Sequence, residues 1–271
     1  MRTSDIENPE IPLTAMMLGE DPPLAALESR PWPVSLYALG RFAVVTSNPS
    51  LKLQKKPLEL LRTLIAFGGR DVAIETLAAA MRPGTEIIMA THAVETNLYR
   101  LRKLLGEKCI QMSSGLLSFN VDYCWIDVLN FERLLEPLSP VTAPATHVRR
   151  LLQLYRGPFL EGVETPIVLV QRERLRSKFL RAIVQFGEIL ESSGEYDIAI
   201  DCYQKGVEAD PLAEELYRRL MRCYYEIKRP AEALAVYLRC HQTLTSVLGI
   251  EPAAQTVALY REIQARRFGR T

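Results

Sequence analysis

The sequence predicts a mainly α-helical protein, in which an α+β part with small antiparallel sheets precedes an all-α part. Residues 34–127 switch between strand-like and helix-like hydrophobic patterns, whereas residues 128–271 are helical almost throughout. The length of 271 residues fits two domains at about 150 residues per domain. With 48% hydrophobic and 24% charged residues, the chain has the composition of an ordinary globular protein.

The net charge of +1 hides an uneven distribution along the chain. Residues 1–33 contain six acidic residues, two arginines and six prolines, which predicts a flexible acidic arm with a net charge of −4. Residues 34–127 carry 11 basic and 8 acidic groups, and residues 128–271 carry 20 and 18. The total argues against a histone-like or membrane-surface protein, but a local basic face is compatible with it.

The order of elements in residues 34–127 predicts a winged helix-turn-helix. Residues 34–45 alternate around Gly40 and predict a hairpin, and LKLQ at 51–54 predicts a third short strand. Three segments repeat apolar residues at helical spacing and predict helices: 55–68, 74–82 and 92–105. Residues 109–127 return to strand character around the turn Ser113-Ser114-Gly115. Three strands, three helices and a final strand pair make up a winged helix with an N-terminal sheet.

The C-terminal part contains an internal repeat. An offset of 34 residues aligns 196–200 (YDIAI) with 230–234 (PAEAL) and places the small residues Ala199 and Ala233 at the same position. This period, with small residues where two helices cross, is typical of tetratricopeptide repeats. Further helices predicted at 147–156 and 166–192 would complete a stack of helical repeats.

The helix predicted at 92–105 has two different faces. An apolar stripe must face the core: Val94, Leu98, Leu101 and Leu105. The opposite arc carries basic, polar and aromatic side chains: His92, Thr96, Tyr99, Arg100 and Lys103, with Asn97 and Arg102 on its flanks. Arginine bonds guanine bidentately, asparagine bonds adenine, and lysine and tyrosine reach phosphates, so this face suits the DNA major groove. A solvated helix face is the alternative, because charge runs are common on surface helices.

Two neighbours complete the description of this helix. Glu95 can accept a hydrogen bond from cytosine or pair with an arginine that contacts a base. Thr91 directly precedes the predicted first turn and is therefore predicted to be its N-cap.

Trp125, just beyond the predicted wing, is predicted to be a buried aromatic residue rather than a stacking platform for a nucleotide.

No motif in the chain indicates an enzyme. The five cysteines are widely spaced without a CxxC pair, and no histidine lies near one, so we expect neither a metal site nor a disulfide framework. P-loop, GxGxxG, HExxH and GxSxG motifs are absent from the sequence, and we expect no catalytic residue and no cofactor. The N-terminus lacks a signal-peptide pattern, and no apolar run reaches about 18 residues. We therefore expect a cytoplasmic protein without a membrane partner.

From residue 34 to 265 the chain resembles a known family. LYALGRFAV, KKPLELLRTLIAFGGRDV, VETNLYRLRKLLG and WIDV resemble the winged helix of OmpR-type DNA-binding domains. FERLL, LYRGPFLEG, RERLRSKFLRAI and LGIEPAAQTVALYREI resemble the bacterial transcriptional activator domain. The combination is similar to antibiotic-regulatory-protein-type (SARP-like) activators of bacteria, with an arm at 1–33, a DNA-binding domain at 34–127 and an activator domain at 128–271.

The resemblance implies a sequence-specific DNA-binding transcriptional activator. Its helix at 92–105 would enter the major groove, the hairpin at 109–122 would act as the wing, and the loop from Arg82 to Ala90 would face the sigma-factor region of RNA polymerase. The implied partners are double-stranded promoter repeats, RNA polymerase and a second copy of the chain on DNA. The resemblance assigns DNA contacts as follows: base reading to Glu95, Thr96, Asn97 and Arg100, phosphate contact to Arg102 and Lys103, and secondary phosphate contact to Lys55 and Lys56.

The wing departs from the family pattern. Wings of this family usually carry a cation at the tip, but here no basic residue occurs between Lys108 and Arg133. We therefore do not expect a cation to be inserted into the minor groove. This feature also supports an alternative function, a tetratricopeptide-type protein-interaction adaptor whose winged helix no longer binds DNA.

Overall fold

The computed structural model describes residues 32–46, 54–135 and 144–268. These residues form two compact units. The first contains the described residues up to 130 together with 159–171, and the second contains the remaining ones. The sequence predicts a domain boundary at 127/128, close to residue 130, where the first continuous part of the first unit ends. Hydrophobic periodicity reports only local patterns, so it gives no sign that 159–171 belong with the first unit. The predicted acidic arm lies almost entirely outside the described residues.

One sheet of the first unit joins the start of the chain to residues beyond the wing. Its strands are β1 (Val34–Tyr37), β2 (Ala43–Thr46) and β6 (Cys124–Ile126), in the order β2-β1-β6. β1 runs antiparallel to β2 and parallel to β6. Gly40 has φ +107°, a value that favours glycine, at the predicted turn between β1 and β2. Trp125 is buried, as predicted, with its ring centroid 5.3 Å from that of Tyr37.

The predicted third strand at 51–54 lies outside the described residues except for Gln54, which immediately precedes the first described helix. In the described part of this sheet, β6 occupies the other edge of β1 instead. A buried carboxylate follows β6 and fixes the junction: Asp127 accepts hydrogen bonds from the backbone N–H groups of Ala38, Leu39 and Val128 at 2.7–2.9 Å. Charge-assisted bonds of this kind hold two remote chain segments in a fixed register.

Three helices and a second sheet complete the winged helix. The helices are α1 (Lys55–Ala66), α2 (Ile74–Met81) and α3 (Ile87–Leu105). The sheet has the order β3-β5-β4, with β3 (Val72–Ala73), β4 (Ile110–Ser113) and β5 (Leu116–Phe119). β4 and β5 form the predicted wing hairpin, and Ser114 (φ +50°) and Gly115 (φ +77°) make its tight turn. β3 has only two residues and therefore leaves no periodic signal in the sequence.

The third helix begins earlier than the sequence predicts. It starts at Ile87 rather than at 92, so the connection from α2 spans 82–86 rather than 82–90. Thr91 is not its N-cap, because it lies inside the helix and its hydroxyl donates to the carbonyls of Ile87 and Ile88. Glu86, at the N-cap position, makes no side-chain capping hydrogen bond, so the true start lacks the usual sequence signal.

Helices account for nearly all of the described chain after β6. Their bounds are α4 (Asp127–Leu135), α5 (Pro144–Leu154), α6 (Pro166–Ser192), α7 (Tyr196–Ala209), α8 (Glu214–Glu226), α9 (Pro230–Leu248) and α10 (Ala254–Phe268). α7 and α9 begin at Tyr196 and Pro230, which confirms the predicted 34-residue period. Ala199 and Ala233 are fully buried, as the repeat requires. Within the described residues, no helix combines the length and apolarity needed to cross a bilayer.

Successive helices of the second unit pack on one another. α7 contacts α8, α8 contacts α9, and α9 contacts α10. Tyr203 of α7 is fully buried against Gly187 of α6, and its hydroxyl donates to the carboxylate of Glu191. The ring lies so close to the Gly187 Cα that any Cβ there would overlap it. The close approach of these helices therefore depends on the absence of a side chain at that position.

Candidate nucleic-acid interface

The exposed face of α3 collects most of the predicted DNA-binding residues. Its apolar stripe, Val94, Leu98, Leu101 and Leu105, is buried in the core of the first unit. Six side chains are exposed on the opposite face: His92, Glu95, Thr96, Tyr99, Arg100 and Lys103. At 100° per residue they span an arc of about 140°. An α-helix with a polar, partly basic face of this width has the shape and the hydrogen-bonding groups that the major groove accepts.

The largest side chains of this face have no partner in the described chain. Tyr99 is 68% exposed, and neither it nor Arg100 or Lys103 takes part in a hydrogen bond or an ion pair among the described residues. His92 and Glu95 contact each other, with Nδ1 and Oε2 3.1 Å apart. Two cations and a phenol are therefore available to an external ligand, whereas Glu95 pairs with a histidine rather than with an arginine.

The two flanking residues of the predicted arc are positioned differently from the others. Asn97 is 4% exposed, and its Nδ2 donates to the carbonyl of Ala93 at 2.8 Å. Arg102 is half-buried, and its Nε donates to the carbonyl of Ile110 at 2.9 Å. Arg102 thus ties α3 to the first wing strand, and Asn97 faces the interior rather than the solvent. The spacing of Asn97, three residues after Val94 and four before Leu101, is the sequence signal for this burial.

The other predicted contact residues lie at the start of α1. Lys55 and Lys56 are the first two residues of that helix, and both are exposed. Their ammonium groups are free of ion pairs with other described residues. No carboxylate occurs in the first turn of α1 to neutralise them.

The wing and the start of α3 expose apolar side chains instead of cations. Met112 and Leu116 of the wing hairpin are exposed, in keeping with the uncharged sequence of its tip. Ile87, Ile88 and Met89 form the first turn of α3, and Ile88 and Met89 are each 63% exposed. Sequence reasoning assigned this segment to a loop and did not anticipate that a helix would present it.

Interior groups account for the pKa shifts of the first unit. Burial lowers the pKa of Arg62, whose guanidinium lies 5.0 Å from the Phe42 ring centroid. A hydrogen bond with Cys109, followed by burial, raises the pKa of the Cys124 thiol. A thiol with a raised pKa is a poor nucleophile and a poor metal ligand. Across the described ranges, no group of three or more histidine, cysteine or carboxylate side chains is arranged to hold a metal ion.

Comparison with known proteins supports the same family. The model of the bacterial transcriptional activator domain matches residues 127–264, just over half of the chain. The transcriptional regulatory protein MoaR1 of Mycobacterium tuberculosis is 31% identical over 222 residues, which cover 77% of this chain and 71% of that protein. The regulatory protein AfsR of Streptomyces griseus is 27% identical over 217 residues, covering 75% of this chain. The chain spans about a fifth of the length of AfsR.

A solved structure shares the fold. The structure of Mycobacterium tuberculosis EmbR in complex with a low-affinity phosphopeptide matches 86% of this chain and 65% of its own, with a TM-score of 0.62 and 22% identity. The domain match and the regulatory relatives indicate one family, and the shared fold is consistent with it. The chain belongs to the SARP-like bacterial transcriptional regulators that carry the bacterial transcriptional activator domain.

Proposed function

We propose that this regulator binds specific double-stranded promoter DNA by inserting α3 into the major groove. Arg100 and Thr96 would read base edges, Tyr99 and Lys103 would contact phosphates, and His92 would accompany them at the N-terminal end of the polar face. Glu95 would accept from a cytosine once it leaves His92. The observation that carries this proposal is the free, exposed Arg100–Lys103 face on a helix whose opposite apolar stripe is buried.

Phosphate contacts by other residues are part of the proposal. Lys55 and Lys56 are exposed at the start of α1 and free to reach the sugar–phosphate backbone. Arg102 would contact phosphate only through its terminal nitrogens, because its Nε holds the wing. Asn97 is left out of the base-reading set because its side chain is buried.

The test is a pair of charge-matched double variants of the full chain. A target sequence would first be selected from a random DNA pool, and dissociation constants would then be measured by gel shift. Arg100→Ala with Lys103→Ala should weaken specific binding by at least about 100-fold, since each lost base or phosphate contact costs about 1–3 kcal/mol. Arg181→Ala with Arg222→Ala removes the same charge from exposed sites in the second unit and should change binding less than threefold.

The alternative function gives the opposite result in the same assay. A protein-interaction adaptor with an inactive winged helix would select no DNA sequence and would show no difference between the two double variants. The uncharged wing is the observation that favours this alternative. Selection of a sequence whose binding survives Arg100→Ala with Lys103→Ala would also overturn the proposed contact face.

We further infer that the first turn of α3 contacts RNA polymerase. Ile88 and Met89 form an exposed apolar patch directly beside the α2–α3 connection. Apolar side chains with this degree of exposure mark protein–protein contact sites when they are clustered. Ile88 and Met89 lie on the same side of α3 as its polar face but one turn nearer the α2–α3 connection, and it is there that they would meet the transcription machinery. A second copy of the chain would bind a neighbouring promoter repeat.

A further inference from the structure

A cleft on the buried side of the recognition helix is separate from the proposed base-reading face, although Lys56, one of its lining residues, is also a proposed phosphate contact. It has a volume of about 300 Å³ including its open mouth, and α1, α2 and α3 all contribute to its lining. Three charged side chains, Lys56, Glu59 and Arg82, line it together with Asn97. Met81 and small residues of α3, such as Ala93, provide its apolar part. Much of this volume is open to solvent, so the enclosed part accepts only a small molecule.

The decisive feature of the cleft is an unsatisfied acceptor. Asn97 is 4% exposed, and its Nδ2 is used by the Ala93 carbonyl. Its Oδ1 is buried and has no hydrogen-bond partner. An acceptor left in this state costs about 1–3 kcal/mol, so a donor supplied by a bound molecule at this position would be stabilising.

The charges around the cleft are also unpaired. Lys56, Glu59 and Arg82 form no ion pair with another residue in the part of the chain that the structure describes. The lining therefore offers two cationic donors and two acceptors, the Glu59 carboxylate and the Asn97 Oδ1. A small molecule that carries an anionic and a cationic group matches this combination, whereas a simple anion leaves both acceptors unsatisfied.

We propose that the cleft binds a zwitterion of amino-acid size. Its carboxylate pairs with Lys56 and Arg82, and its ammonium group donates to Glu59 and to the Oδ1 of Asn97. A short apolar side chain fits against Met81 and Ala93. The bound molecule bridges α1, α2 and the recognition helix, and so it stabilises the first unit and modulates the DNA-binding face from behind.

Binding is measured on the full chain without DNA, so a failure of this proposal is distinct from a failure of the proposed DNA contacts. The 20 proteinogenic amino acids are screened individually at ~10 mM by thermal denaturation, and each positive is titrated by calorimetry. At least one should raise the melting temperature by about 2–4 °C, as expected when the ligand exceeds its dissociation constant severalfold. The matching carboxylate without an amine, and the matching amine without a carboxylate, should bind at least about 10-fold more weakly.

Three variants assign the site. Glu59→Gln and Arg82→Gln alter the cleft at partly exposed positions and should each weaken binding at least about 10-fold, and Asn97→Ala should do the same. Glu75→Gln, at an exposed carboxylate of α2 outside the cleft, should leave the affinity unchanged. The two glutamine variants keep the test decisive if Asn97→Ala unfolds the chain.

Several outcomes overturn the proposal. If no amino acid raises the melting temperature, water alone satisfies Asn97 and the cleft is not a ligand site. If the carboxylate alone binds as well as the zwitterion, the cleft is an anion site. If binding is retained in Glu59→Gln and Arg82→Gln, the ligand lies elsewhere on the chain.

Discussion

At the scale of single residues, three buried cysteines are a feature of the second unit. In the second unit, Cys202, Cys223 and Cys240 are buried, and burial raises their pKa values to about 12, 12 and 11. Ionisation of these thiols is therefore disfavoured in the folded state. They act as small apolar core residues rather than as nucleophiles or metal ligands.

These thiols make the stability of the second unit depend on alkaline pH. Because their pKa values are raised on folding, their contribution to stability is complete below the ordinary thiol value near 9 and is lost as pH rises toward 11 and 12. The free energy of unfolding should therefore decline from pH 9 upward, as measured by urea denaturation at pH 8, 9 and 10. Burial also raises the pKa of Tyr155 to about 12. Its contribution falls mainly above about pH 10, so the decline below that pH reports the buried thiols, among them Cys124 of the first unit.

Alkylation provides the control for this prediction. At pH 8 in the absence of urea, the thiols should react with iodoacetamide at least about 100-fold more slowly than in the urea-unfolded chain. The variant Cys240→Ala should show a smaller decline of stability with pH than the unmodified chain. Equal alkylation rates in the folded and unfolded chains would contradict the burial of these side chains.

At the scale of elements, the junction of α6 and α7 depends on a glycine within a helix. Alanine normally stabilises a helix relative to glycine by about 1 kcal/mol. At Gly187 the sign should reverse, because the new Cβ would overlap the buried Tyr203 ring. Gly187→Ala should destabilise the chain by about 1–3 kcal/mol, measured by urea denaturation. Gln185→Ala, at an exposed position on α6, should change stability by less than about 0.5 kcal/mol, and a stabilised Gly187→Ala variant would refute the close approach.

The first turn of α3 gives a second prediction at this scale. Ile88→Ser with Met89→Ser removes the exposed apolar side chains of this turn and leaves the six polar side chains of the contact face unchanged. Transcription from the selected promoter with purified bacterial RNA polymerase should fall by up to about 30-fold, because each of the two lost apolar contacts weakens docking by roughly 1 kcal/mol. The dissociation constant for DNA should stay within twofold.

The control for this variant is another exposed apolar residue. Leu238 on α9 is 60% exposed, and Leu238→Ser should leave transcription unchanged. Unchanged transcription with Ile88→Ser and Met89→Ser would exclude this turn as a polymerase contact. A parallel loss of DNA affinity would instead show that the turn supports α3 itself.

At the scale of the whole molecule, the distribution of charge limits how DNA is held. Residues 34–127 carry a net charge of only +3, and the wing contributes no cation. Each phosphate contact contributes about −0.9 to the slope of log affinity against log salt concentration. A single chain should therefore bind weakly and with a shallow slope, and tight binding should require two copies.

This prediction is tested with probes that carry one or two copies of the selected sequence. The two-copy probe should bind at least about 10-fold more tightly, with a steeper salt dependence and two chains per DNA, as measured by gel shift and analytical ultracentrifugation. Shifting the second copy by half a helical turn is the control and should abolish the gain. Tight binding of one chain to the one-copy probe would contradict the charge argument.

The order of elements and the repeat were predictable from sequence because both arise from local periodicity. The apolar stripe of α3 and the 34-residue offset between Tyr196 and Pro230 are visible in the chain and are confirmed by the structure. The free, exposed arc around Arg100 follows from the same periodicity, because a residue opposite a buried stripe must face solvent.

Two kinds of feature could be learned only from the tertiary structure: contacts between distant segments, and local features that leave no pattern in the sequence. The pairing of β1 with β6 and the return of 159–171 to the first unit join distant segments, and no local pattern encodes them. The early start of α3 was missed because its N-cap makes no side-chain hydrogen bond. Asn97 was predicted to lie on the flank of the exposed arc, and its position between Val94 and Leu101 buries it instead. The sequence thus determined which helix presents the cationic face, and three-dimensional packing decided which polar residues of that helix stay exposed and available to a ligand.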